Sequence, residues 1–321
     1  MHPENLPILW RATASSVTLV ARQLVFFGIL GVAFGTGIII LARKKRRRNR
    51  RWPFKPETRL LRTPGESTRG QFERLNEELP CVFFKGLAIV AGASCALSAL
   101  YLVVVALTLP LAAKHWYITA IIGGGLGFAI AVPYVAKTVT DSWDYELGYL
   151  GERFVADALR ALDVGLWHVY HDMPSAFGNI DHVAVGPKGV FVIETKTRQI
   201  IKDEPNGNTV RFDGSNLIWP RWGIVNGPLV QAERNAGWLG NLIEKEAGVT
   251  VDVISYVTVP GWYVDDEQAK LPGAPRRRAR PVQTPALVEF MENQWARTPL
   301  EPEEVNRIAV LLEQRCRDVR L

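Results

Sequence analysis

Cysteine is scarce, with three residues in 321 (Cys81, Cys95 and Cys316) and no C-x-x-C pair. That pattern suggests neither a disulfide framework nor a thiolate zinc site, and it fits a reducing compartment. Acidic residues are scarce in the first part of the chain. Up to Lys137 there are 18 Lys and Arg against 6 Asp and Glu, and after it 20 against 26, so the net charge of +6 divides into +12 and −6. The positive excess lies beside apolar segments, where membrane topology explains it better than a nucleic-acid footprint does. Charge of either sign is absent from three long stretches, residues 24–42, 86–113 and 117–136. None holds an Asp, Glu, Lys, Arg or His, and intramembrane charge is the usual mark of transport, so anchors are the simpler reading.

What is present around those stretches orients them. Residues 24–42 are long enough to cross a hydrocarbon core and are followed at 43–51 by RKKRRRNRR, a stop-transfer flank that belongs in the cytoplasm. A cleaved signal peptide would carry its positive charge before the apolar run, and the basic run has lipid or nucleic-acid binding as its alternative role. The stretches 86–113 and 117–136, separated by Lys114-His115-Trp116, read as a transmembrane hairpin. Soluble core helices are the competing reading, disfavoured because such helices are rarely apolar all round. Gly123, Gly124, Gly125 and Gly127 give the third helix a small face for close packing. Residues 1–137 are therefore expected to be a membrane anchor with a basic cytoplasmic segment at 43–85. The N-terminus is expected outside a cell (inner) membrane and the rest of the chain inside.

From about Trp143 the patterning becomes that of a soluble domain. Residues 145–162 show apolar side chains at helical spacing, with Glu152 placed near the start of that helix. Residues 167–173 read as a strand. The sequence IDHVAVGPKGVFVIETK, residues 180–196, reads as a hairpin with strands at 180–185 and 190–196 and a Gly-Pro-Lys-Gly turn. Alternation puts Glu194 and Lys196 on one face with Val190 and Val192, and His182 on the face opposite Asp181. A further strand around 208–219, a helix ending before Gly248 and a buried strand at 251–261 complete an α/β domain with a small mixed sheet.

Three segments, GYLGE, IDHVAVGPKGVFVIETK and GPLVQAERNAGWL, resemble the nuclease-related (NERD) domain, a branch of the PD-(D/E)xK restriction-endonuclease-like superfamily, from about residue 148 to 261, within a domain expected at 143–261. The resemblance implies a restriction-endonuclease-like core, which the apolar stretches place after three transmembrane helices. It also implies a Mg²⁺- or Mn²⁺-dependent (endo)nuclease acting on nucleic acid, with DNA expected. In such domains the Asp and the Glu hold the metal and the Lys assists at the scissile phosphate. Carried over, these are Asp181, Glu194 and Lys196, with Glu152 and Gln231 as flanking site residues.

The chemistry agrees with the residue types. Hard carboxylate oxygens suit Mg²⁺, and the backbone carbonyl of Thr195 offers a third ligand. Lys196 supplies a compact cation. The competing readings are an edge-strand ion pair for Glu194 and Lys196, a turn cap for Asp181, a first-turn dipole partner for Glu152, a structural role for Gln231, and, for Trp219 and Trp222 near Arg221, core packing against stacking on bases. A catalytically silent tethered binding module is the alternative function. Residues 262–321 read as a charged loop and two helices opened by Thr284-Pro285 and Glu301-Pro302. Arg276, Arg277, Arg278 and Arg280 are the loop's candidate phosphate contacts.

Overall fold

The computed structural model describes residues 59–108, 116–202, 204–293 and 299–320. The expected span at 24–42 and the basic run after it lie outside the described residues. Two units divide the chain, Met1–Phe54 with Leu75–Asp141, and Lys55–Arg74 with Ser142–Leu321.

The first unit contains most of two long helices, α1 (Glu66–Thr108) and α2 (Trp116–Leu159). Three transmembrane helices were expected. Among the described residues two helices are long and apolar enough to cross a membrane, and both exceed the expected 86–113 and 117–136. The reason is backbone continuity: each helix runs on through the boundary between apolar and amphipathic sequence, past the proline nearest to it. Pro80 and Pro133 lie within the helices without ending them. Apolar side chains stay exposed, Ile121 at 70% and Phe128 at 62%. Gly123 and Gly127, one turn apart, face the other helix so closely that a Cβ at either would meet the backbone at Ala93 or Val90. Gly124 and Gly125 meet nothing, so only half of the expected glycine face is used.

The second unit is the α/β domain. Its central sheet holds β2 (His168–Ser175), β3 (Gly178–Gly186), β4 (Gly189–Thr195), β8 (Ile254–Thr258) and β10 (Arg280–Val282). The order is β10-β8-β4-β3-β2, with β4 parallel to β8, β8 parallel to β10 and the other pairs antiparallel. Alternation along β4 divides two cores. Val190 and Val192 pack with α3 (Gly227–Ala247) and α5 (Pro302–Cys316), whereas Phe191 and Ile193 pack with the end of α2 and with α4 (Leu287–Glu292). Glu301 and Glu304 form a capping box at the start of α5, satisfying N–H groups that would otherwise lack partners.

A second sheet, β7 (Gly223–Val225), β6 (Leu217–Trp219), β5 (Thr209–Phe212) and β9 (Tyr263–Asp265), occupies the region where a single strand was expected. Trp219, Trp222 and Trp262 form its core, and Arg198 lies over the Trp219 and Trp222 rings at 5.2 and 4.8 Å. Trp219 and Trp262 are therefore core residues, and half-buried Trp222 packs against them. Finally, β1 (Arg59–Leu60) pairs with β11 (Val319–Arg320), so the described part of Lys55–Arg74 belongs to the α/β unit. The anchor boundary expected at residue 137 does not allow for this segment.

Candidate active site

Two strand termini create the site. Asp181 stands near the start of β3 and Glu194 near the end of β4, and pairing of His182 with Ile193 brings them together. The Thr195 N–H donates to Asp181 Oδ2 at 2.6 Å, and the Lys196 N–H donates to the Thr258 carbonyl at 2.9 Å. These bonds fix Asp181, Glu194, Thr195 and Lys196 at one sheet end. Burial there pushes the Asp181 carboxyl well above the usual range, with the Glu194 charge adding to it. Glu194, 6% exposed, is pushed up to about 8 by burial, against the opposing pull of Lys196.

Glu152 comes from α2. It is 7% exposed, and burial together with the Asp181 charge raises it to about 8. It sits near the C-terminal end of a continuous helix, so the helix-dipole reading of a first-turn residue fails. Gly151 explains how α2 comes so close: a Cβ there would overlap the Thr197 hydroxyl. Gln231 lies on the first turns of α3, half-buried, on the same face as Arg234 and Asn235.

The donor set suits a hard divalent cation. Glu152 Oε2, Glu194 Oε2 and Thr195 Oγ1 are buried without a hydrogen-bond partner, and the three acids disfavour one another's charged forms. Among the described residues no three His, Cys, Asp or Glu side chains gather tightly enough to form a closed metal centre. One or two carboxylates plus waters is the arrangement Mg²⁺ ordinarily takes.

Three contributors escape a sequence reading. Asp172, 1% exposed, interrupts the β2–β3 ladder opposite Asp181, at a φ of 49° that Asp tolerates better than most residues. Its signal was the mirrored pair His171-Asp172 and Asp181-His182 on antiparallel neighbours. Arg234 is exposed, lies 4.6 Å over the ring of Phe177 at the β2–β3 turn, and its charge favours ionised Glu194. Thr68 Oγ1 donates to Glu152 Oε1 at 2.7 Å. By contrast His182 is fully buried and shares a 2.8 Å Nδ1 contact with His171 on the face away from Asp181.

The arginine cluster of the late loop is only partly free. Arg277 donates to Glu233 at 2.8 Å and to the Ser215 carbonyl, and Glu233 also accepts from the Arg278 and Ala279 N–H groups. Arg276, Arg278 and Arg280 remain exposed.

Residues 147–260 match the family model described as Nuclease-related domain (NERD). Neither the curated proteins nor the solved structures contain a match to the chain.

Proposed function

We propose, with residues 147–260 taken as a nuclease-related domain, that this chain hydrolyses phosphodiester bonds in nucleic acid, with DNA as the expected substrate. The observation that carries the reading is the pair of adjacent carboxylates, half-buried Asp181 and buried Glu194, with partnerless oxygen at Glu194 and Lys196 two residues on. Two such acids are costly together unless a cation joins them. A bound Mg²⁺ or Mn²⁺ would supply charge stabilisation at the phosphate and a more acidic water. Asp181, Glu194 and the Thr195 carbonyl would hold it. Lys196 presents its ammonium toward the phosphate, Glu152 accepts a hydrogen bond from a site water, and Gln231 and Arg234 contact phosphate oxygens from α3. Incubation of the purified full chain with labelled duplex DNA, single-stranded DNA and RNA in Mg²⁺ tests this. Cleavage of any of them supports it, and cleavage of none contradicts it.

The two apolar helices support attachment to a lipid bilayer. The basic run at 43–51 supports placing the α/β domain on the cytoplasmic side of an inner membrane. A reporter fused after Leu321 should then be cytoplasmic, and one before Met1 should be outside. An outside C-terminus would contradict the placement.

Substrate binding should draw on few cations. With Arg277 held by Glu233, replacing Arg276, Arg278 and Arg280 by Gln should flatten the slope of log K against log salt by about 2 to 3, at about 0.9 per phosphate on duplex DNA. Adding Arg277→Gln should change the slope little further but lower stability. Binding measured in Ca²⁺ at several salt concentrations checks this, and an unchanged slope in the triple variant removes the loop from the interface.

A further inference from the structure

The segment ahead of the matched region reaches into the site. Beyond the β1–β11 pairing, the Arg62 N–H donates to the Cys316 carbonyl at 2.9 Å, and its guanidinium forks onto Asp318 at 2.7 and 2.9 Å. The same guanidinium donates to Asp172 Oδ2 at 2.7 Å and to the Asp172 carbonyl at 3.0 Å. Ser67 adds its N–H at 3.2 Å and its hydroxyl, and Asn179 donates at 3.1 Å, so every near partner of the Asp172 carboxylate except Asn179 comes from residues 62–67. One residue on, Thr68 holds Glu152.

We infer that residues 59–68 are a clasp that completes the candidate site in cis, Arg62 and Ser67 holding Asp172 opposite Asp181 while Thr68 orients Glu152. The inference rests on the nuclease reading for its catalytic consequence and on the contacts alone for the clasp. Its physical basis is compensation. Asp172 is a buried carboxylate beside the acids of the site, and removing its cation would leave an uncompensated charge in the interior. Thr68 fixes one oxygen of Glu152, leaving Oε2 buried without a hydrogen-bond partner. Gly65 sits over the same carboxylate, where a Cβ would crowd Tyr149 and approach Glu152 Oε2. Thr68 is thus a positioning residue. The functional domain begins near residue 59, and a fragment starting at Ser142 would lack the groups that neutralise Asp172.

The test uses the full chain in detergent and compares parent, Thr68→Val, Thr68→Ser and Arg62→Gln. Groups outside the ligands of a metal site commonly contribute 10- to 100-fold, and Thr68 acts at the lower end because it works through Glu152 and a site water. Thr68→Val should therefore lower kcat for Mg²⁺-dependent cleavage about tenfold with KM nearly unchanged, and weaken Mn²⁺ binding similarly. Thr68→Ser should restore both. Parental kcat and Mn²⁺ affinity in Thr68→Val, or a Thr68→Ser variant as impaired as Thr68→Val, would overturn the positioning role. Hydrogen exchange without metal separates the clasp from the nuclease reading: in Arg62→Gln, peptides covering 148–156 and 170–182 should exchange at least tenfold faster while those of α3 keep their rates. Unchanged exchange would overturn the clasp even in an active enzyme. If the parent neither cleaves nor binds Mn²⁺ but the exchange contrast appears, the nuclease reading fails and the clasp stands.

Discussion

Replacing Asp181 or Glu194 by Ala should cost roughly a thousandfold or more in Mg²⁺-dependent cleavage, the several kcal/mol of charge stabilisation that a metal site provides. The fold should survive the change. Both acids are raised above their ordinary range, chiefly by burial, so in metal-free protein they oppose folding once ionised. The sign follows from proton counting. A carboxyl whose folded pKa is about 8 and whose unfolded value is ordinary binds more protons folded than unfolded between those limits, so stability falls as pH rises through that window. Thermal melts of the metal-free parent should therefore show a midpoint that declines between about pH 5 and pH 8, and Mg²⁺ should restore most at the alkaline end. Glu194→Ala should flatten this decline. A parent whose midpoint rises steadily over that range would contradict the burial of uncompensated acids.

Gly151→Ala should be a damaging single methyl beside the candidate site. The added Cβ would occupy the position of the Thr197 hydroxyl, with the Thr197 Cβ also close, so turning the hydroxyl away is not enough and the neighbouring segment must shift as well. Overpacking of this kind costs about 1–3 kcal/mol, and here it pushes α2 away from the segment after β4 that carries Lys196. Glu152, the next residue, would move with the helix. Cleavage should fall at least as far as in Glu152→Ala, and the thermal midpoint should drop by several degrees, at about 4–8 °C per kcal/mol for a small domain or less for a larger one. Gly148→Ala meets only the Thr68 methyl and is a fair comparison: it should be tolerated far better. Equal midpoints for Gly151→Ala and the parent would show that α2 does not sit this close to residue 197.

The hairpin was legible in the sequence because its signal is local. Period-two alternation and a Gly-bounded turn suffice to put Asp181 and Glu194 at one end, and the observed strands, Gly178–Gly186 and Gly189–Thr195, differ from expectation by only a few residues at their ends. The capped helix after Pro302 was legible for the same reason. Glu152 could be picked out by residue type, but its placement could not. A shift from apolar to amphipathic composition marks a change of surroundings, and nothing in it requires the backbone to break, so a helix expected to start near Tyr145 is the last part of one that starts at Trp116. Asp172 needed the strand pairing to be known before its position opposite Asp181 had meaning. Arg62 and Thr68 were beyond reach: their partners lie 110 and 84 residues away, and no periodicity carries a contact across that distance. Arginine density in the late loop misled because it ignores partners. Glu233, on a different element, accepts from Arg277 and from the backbone beside it.

The claim at the centre of this account is that Asp181 and Glu194 serve a divalent cation in phosphodiester hydrolysis. The most direct measurement follows supercoiled DNA with the purified full chain in Mg²⁺, in excess chelator, and in Mg²⁺ with Glu194→Ala. The account predicts cleavage in the first condition alone. Equal cleavage in chelator, or in Glu194→Ala, would contradict it.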